Sequence, residues 1–335
     1  MVGKTGGQPD SCANPATEAG TLFPGRTLLA ERSAGQADAF RGRTLSWRLF
    51  FRAIRPHQWA KNLLIFVPLF LSHKIFQLPL ATRALLAFVA FSLAASSLYI
   101  INDLLDIEAD RNHPRKKYRP LASGELSIPA GLTLAAVLGA AGIFVSVRLP
   151  WSAGLLLAGY CMASLAYSAY LKKHLFVDVV LLAAFFAVRL LFGGAATGIE
   201  ISVWTLAFSM FLFLSLALMK RLTELRNAPE PSKSGLSRRG YLAEDLQPIS
   251  ALSCGSGLLS VMVLAFYIQS AEVHALYSHP LLLWLVCPLL LYWIGRFAIL
   301  ANRGYIHHDP IVFAFNDPAS LLTGALTLAV VLCAI

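Results

Sequence analysis

Apolar runs long enough to cross a lipid hydrocarbon core recur along this chain, separated by short connections rich in charge, proline and glycine. Nine such segments are read, at about 57–72, 82–102, 130–148, 151–171, 175–195, 203–219, 249–269, 280–300 and 318–335. The first is short and carries Pro68. In lipid only helices and closed barrels satisfy every backbone group, and runs this long and continuous predict helices. The expected fold is therefore all-α, a polytopic membrane bundle. Residues 1–45 stand apart: they are rich in Gly, Ala, Ser, Thr and Pro, show no sustained periodicity and read as a disordered tail. Their apolar pieces, Leu22-Phe23 and Leu28-Leu29-Ala30, are too short for a signal-peptide core. Residues 46–335 read as one transmembrane domain.

Composition agrees, since 57% hydrophobic residues, 14% charged residues and a mean hydropathy of +0.63 exclude a soluble domain. The net charge of +10 is unevenly placed. Connections after the second, fourth, sixth and eighth segments hold five, two, six and two Lys/Arg, whereas the opposite side carries Lys74, Arg83 and Arg148. Arg41, Arg43, Arg48, Arg52 and Arg55 precede the first segment and Lys61 begins it. Cytoplasmic loops carry the Lys/Arg excess, so the N-terminus and these connections are expected in the cytoplasm, at an inner membrane, with the C-terminus beyond it. The charge then signals topology, anionic lipid headgroups and an anionic ligand; no motif supports a nucleic-acid partner. Cys12, Cys161, Cys254, Cys287 and Cys333 are scattered without C-x-x-C pairing, which indicates neither a disulfide framework nor a zinc site.

The chemistry concentrates where the second segment ends, in Asn102-Asp103-Leu104-Leu105-Asp106-Ile107-Glu108-Ala109-Asp110. On a continuous helix Asp103, Asp106 and Asp110 fall within roughly 60° of one another, Asn102 flanks them and Glu108 points away. Three neighbouring carboxylates repel unless a cation sits among them, and oxygen-only ligands suit Mg²⁺, which commonly shares its shell with substrate phosphates. Arg111, Arg115, Lys116, Lys117 and Arg119 follow at once. A second region, Tyr167-Ser168-Ala169-Tyr170-Leu171-Lys172-Lys173-His174-Leu175-Phe176-Val177-Asp178, turns between the fourth and fifth segments, and its acid enters an apolar helix, where ionisable groups are costly. Arg189, eleven residues on, shares that helix face about 16 Å further along. Lys220-Arg221-Leu222-Thr223-Glu224 closes the sixth segment, with Lys220 and Glu224 spaced to pair. Asp309-Pro310 and Asp317-Pro318 read as turns, and His307 and His308 as loop residues.

Asn102-Asp103-x-x-Asp106-x-x-x-Asp110, preceded by Arg55-Pro56-x-Gln58-Trp59-x-Lys61-Asn62 and followed by His113-Pro114-x-Lys116-x-x-Arg119-Pro120-x-Ala122-Ser123-Gly124, closely resembles the UbiA-type intramembrane prenyltransferases over about 45–320. The quinone-forming branch of that superfamily carries a second D-x-x-x-D; this chain has Asp178 alone. That departure, with Tyr167, Lys172 and Lys220-Arg221-x-x-Glu224, resembles the decaprenyl-phosphate phosphoribosyltransferase branch. The resemblance implies Mg²⁺-dependent transfer of 5-phosphoribosyl from phosphoribosyl diphosphate (PRPP) to a polyprenyl phosphate, with diphosphate released. It implies Asp103, Asp106 and Asp110 as metal ligands aided by Asn102, and Lys116, Arg119 and Lys172 on phosphates. Tyr167 would position the donor, and Arg55 and Lys61 would take the acceptor phosphate. Asp178 would orient ribose hydroxyls or stabilise charge developing on the sugar, with Arg189 and Lys220 among the substrate-facing residues. Prenyl transfer from a polyprenyl diphosphate to an aromatic acceptor is the rival. A transporter or flippase fits less well, because coupling ions bind near the midplane and these acids sit at one rim. Oligomeric state stays open, a homo-oligomer included.

Overall fold

The computed structural model describes residues 46–113, 116–227, 240–306 and 310–335. The tail, Arg115, His307, His308 and Asp309 lie outside them. Short α1 (Trp47–Ile54) leads through Arg55 into a 3₁₀ segment (Pro56–Phe66) continued by α2 (Val67–Leu71). Then come α3 (Leu78–Leu105), α4 (Ile107–Arg111), α5 (Ile128–Ser146), α6 (Trp151–Ala169), α7 (Val177–Thr197) and α8 (Val203–Arg226). The chain ends with α9 (Leu246–Ile268), α10 (Ala271–Leu276), α11 (Val286–Asn302, entered by a 3₁₀ turn at Pro280–Leu285), α12 (Pro310–Asn316) and α13 (Pro318–Ala334). Trp47–Ile335 is one unit.

Seven of the nine predicted segments are helices long and apolar enough to cross a membrane. The other two are shorter. Pro318–Ala334 is an apolar helix of 17 residues, and the first segment is mostly 3₁₀ with a proline at each start. Both still run from one end of the bundle to the other. Arg55 at the start of the first segment binds Asp103, while His73, just past its end, stacks on Tyr277 at the opposite end. In the same way Asp317 begins α13 beside Arg296, and Ala334 accepts a backbone bond from His279.

Helices α3 and α7 are the most enclosed. The inward positions of α3 are small (Ala84, Ala87, Ala90, Ala94, Ala95, Ser92, Ser96, Ser97), which lets neighbouring backbones approach, since packing rather than hydrophobicity holds helices together in lipid. A Cβ at Gly142 of α5 would stand 2.9 Å from the Ala90 carbonyl oxygen, and one at Gly193 of α7 only 2.1 Å from that of Ile65. The first segment is thereby pressed onto α7. Side-chain bonds fix its rotation: Trp59 donates its indole N–H to Ser96 (3.0 Å), and Asn62 donates to Ser92 (2.9 Å) while accepting from Arg189 (2.8 Å).

Candidate active site

Four connections meet at one end of the bundle and carry the charge. The helix predicted through the aspartates breaks: α3 stops at Leu105, Asp106 leaves helical geometry (φ −102°, ψ 12°) and α4 restarts at Ile107. The three acids take different sets of partners. Asp103 and Asp110 are buried and share Arg119, whose Nη1 donates to Asp103 (3.0 Å) and to Asp110 (2.5 Å). Asp103 also accepts from Arg55. Asp106 is paired separately: both its carboxylate oxygens accept from Lys172 Nζ at 2.7 Å. Glu108 is exposed, as its phase predicts.

Arg55 reaches Asp103 from a left-handed backbone (φ 54°, ψ 61°), a conformation that costs a non-glycine residue about 1 kcal/mol or more and persists only where surrounding structure imposes it. Phe176, two residues before Asp178, is likewise positive (φ 67°). Of the three non-glycine residues with positive φ among the described residues, two therefore flank the charged cluster.

Asp178 is fully buried in the first turn of α7. Its Oδ2 accepts from Arg221 Nε at 2.5 Å and its Oδ1 from the Tyr241 hydroxyl at 2.7 Å. Burial, then the hydrogen bond to Asp178, push the Tyr241 phenol well above its usual range, so it stays the donor. Tyr241 in turn accepts from the Phe176 backbone N–H (3.2 Å). Arg221, 2% exposed, also binds Glu224 and lies 3.5 Å from the Tyr167 hydroxyl. The residue of the Lys220-Arg221 pair that enters the core is thus the arginine, and Glu224 takes Arg221 at three residues' spacing. Lys220 stays partly exposed.

Arg189 is 4% exposed and turns away from the carboxylates. It donates to Asn62 and to the Phe185 carbonyl, and its guanidinium lies 4.9–5.5 Å from the ring centres of Phe91, Tyr160 and Phe186. Lys61 stands 6.0 Å from the Phe186 ring. Lys116 follows the break in the acidic stretch. Burial lowers its ammonium pKa and the nearby Arg119 adds to this, while Asp110, Glu224 and Asp106 oppose it. Arg221 and Tyr241 are the site residues that sequence reasoning passed over. The first was visible as an arginine at an apolar helix end; the second, in a long connection, gave no signal.

Asparagine and aspartate oxygens are the right donors for a hard cation such as Mg²⁺. Among the described residues, however, no three His, Cys, Asp or Glu side chains converge as a ready-made cage. Each aspartate is closed on a base instead.

The UbiA prenyltransferase family model matches residues 63–316. The chain belongs to that family. It is 39% identical over 279 residues to the uncharacterized protein y4nM of Sinorhizobium fredii, a match covering 82% of this chain and only about half (53%) of that protein. Nodulation protein NoeC of Azorhizobium caulinodans is 32% identical, with 82% of this chain and 89% of NoeC covered. The decaprenyl-phosphate phosphoribosyltransferase of Mycolicibacterium smegmatis is 34% identical over 64% of this chain and 69% of its own length. Among solved structures, a UbiA homolog from Archaeoglobus fulgidus bound to GPP and Mg²⁺ superposes with a TM-score of 0.64 at 18% identity, covering 84% of this chain and 99% of that one. This UbiA-family chain is thus an integral membrane transferase with an all-helical fold.

Proposed function

We propose that this UbiA-family protein transfers 5-phosphoribosyl from PRPP to the phosphate of a polyprenyl phosphate, at the cytoplasmic face of the membrane. One observation carries the reading: Asp178, the acid that would begin a second diphosphate-metal motif, is sealed between Arg221 and Tyr241, and Leu182 stands four residues on. One acidic cluster remains, ringed by Arg55, Lys116, Arg119 and Lys172. That excess of base suits a substrate pair in which donor and acceptor both carry phosphate. The similarity to the mycobacterial phosphoribosyltransferase supports the same choice.

Asp106, the most accessible of the three aspartates, with Asp103 and Asn102, would hold Mg²⁺ on the donor diphosphate. Held there, Mg²⁺ would supply positive charge to the diphosphate leaving group. Lys172, now holding Asp106, and Arg119, now holding Asp103 and Asp110, would turn to phosphate oxygens, and Lys116 would join them. The acceptor phosphate is anionic at neutral pH and needs no general base. Catalysis then rests on positioning and on fixed positive charge around the reacting phosphates. In this reading Asp178 sets the angle of Arg221 against Tyr167.

The test is transfer of ribose-labelled PRPP into a long-chain polyprenyl phosphate by purified protein with Mg²⁺. Label in the lipid phase, lost in Asp106→Asn, supports the proposal. Transfer from a polyprenyl diphosphate to an aromatic acceptor, with no ribosyl lipid formed, would replace it.

A further inference from the structure

Between α6 and α7 a groove of about 480 Å³ opens on the outer surface of the bundle, with walls that are almost wholly apolar. It exists because α6 presents small residues on one stripe. Gly159 and Ala163 face Ala184 and Leu181, and a Cβ at Gly159 would meet nothing within 4 Å. From Trp151 to Ala163 the stripe is about 18 Å long, more than half of a hydrocarbon core.

The groove is joined to the charged site by its floor. Tyr160 and Phe185, which line it, stack edge to face at 5.5 Å, and Phe185 packs in the same manner on Tyr167 at 5.7 Å. Tyr167 lies one turn beyond Ala163 and reaches Arg221; Lys172 follows in the same connection, bound to Asp106. Moving along the groove, an apolar chain therefore passes from lipid-depth rings to a tyrosine and then to two cations. The order matches a molecule with a long hydrocarbon tail and a phosphate head.

We propose that this groove seats the polyisoprenoid tail of the lipid phosphate acceptor, head toward Tyr167 and Lys172. The proposal rests on the phosphoribosyl-transfer reading for the identity of the lipid. Its test does not require turnover. The protein in nanodiscs is photolabelled with a polyprenyl phosphate bearing a benzophenone on the head-proximal part of its tail, within the groove's length of about 18 Å, and the labelled peptides are mapped. Label is expected within 151–163 and 181–188, displaced by unlabelled polyprenyl phosphate and not by equal phosphatidylglycerol. Gly159→Phe fills the groove and should weaken labelling about tenfold, equivalent to about 1.4 kcal/mol. Gly154→Phe on the same helix, outside the groove and equally unobstructed, should leave it unchanged. Where turnover is measured, Gly159→Phe raises KM for the long-chain lipid and leaves that for a short soluble prenyl phosphate alone.

Label on other helices, equal displacement by phosphatidylglycerol, or insensitivity to Gly159→Phe would each overturn the proposal. Specific labelling of the groove with no ribosyl lipid formed would leave the groove standing as the lipid phosphate's seat and remove the phosphoribosyl reading.

Discussion

Adding one methyl group at Gly193 should damage both stability and transfer, although the residue touches none of the charged groups. Its Cβ would lie 2.1 Å from the Ile65 carbonyl oxygen, 2.9 Å from the carbonyl carbon and 3.0 Å from Cα. All three are backbone atoms, so no side chain can swing aside. To reach even a tight 3.0 Å contact, the Pro56–Phe66 segment and α7 must part by about 0.9 Å. Overpacking of this kind costs about 1–3 kcal/mol, against a gain of about 1 kcal/mol from replacing glycine within a helix. Gly255→Ala isolates that gain, since nothing lies within 4 Å of a Cβ there. Thermal unfolding in detergent should place Gly193→Ala below Gly255→Ala by several degrees, at about 2–4 °C per kcal/mol. The same segment starts at Arg55 and carries Asn62, the partner of Arg189. A shift of about 1 Å in a positioning element can cost about 100-fold in rate, so the activity loss should exceed the stability loss. Wild-type melting and turnover in Gly193→Ala would refute the close approach of these two backbones and the coupling built on it.

Arg221→Met strips a fully buried Asp178 of its counter-charge and should destabilise by about 3–5 kcal/mol, with much of the loss recovered in Asp178→Leu/Arg221→Met; a double-mutant cycle on thermal unfolding measures it. Lys116 should give a pH signature of two signs. With its folded pKa below the ordinary lysine value, the unfolded chain binds more protons between the two, so stability rises with pH across that window. On the proposed reading donor binding uses the charged form and falls across the same window; PRPP titrations at several pH values should show this fall, displaced upward in Lys116→Arg. Asp317 accepts two bonds from Arg296 (2.6 and 2.9 Å) and caps α13 through Ser320. Those bonds hold its carboxyl below the usual range, so its contribution is present above the unfolded pKa and lost as pH falls through the folded one. Asp317→Ala should cost about 1–2 kcal/mol at neutral pH and flatten the acid limb of the stability profile.

Hydropathy located the crossing helices to within a few residues, with one extension: α8 runs past 219 to Arg226, because a helix leaving lipid continues with polar residues as readily as with apolar ones. Legibility stops where tertiary contact decides. A constant 100° per residue did not foresee the kink at Asp106, and nothing in Leu105-Asp106-Ile107 marks it as glycine or proline would. The burial of Arg221 depended on which side of α8 meets α7, a matter of helix packing; guanidinium, with its planar fork, can bind Asp178, Glu224 and reach Tyr167 together, where ammonium cannot. Tyr241 was invisible because its place is set by tertiary contacts, the bonds to Asp178 and to the Phe176 backbone, which no local pattern announces.

These contacts also change what Asp178 can do. A carboxylate with both oxygens taken by an arginine and a tyrosine inside an apolar helix is a fixed part of the wall, and on the proposed reading it acts on substrate through Arg221. The accessible end of the cluster is Asp106 and Lys172, which come from different connections and are joined by two bonds of 2.7 Å. A salt bridge between partly exposed groups contributes little stability, so its cost of opening is small. That places the exchangeable contact of the site at the mouth, and the rigid ones, Arg55 with Asp103 and Arg221 with Asp178, behind it.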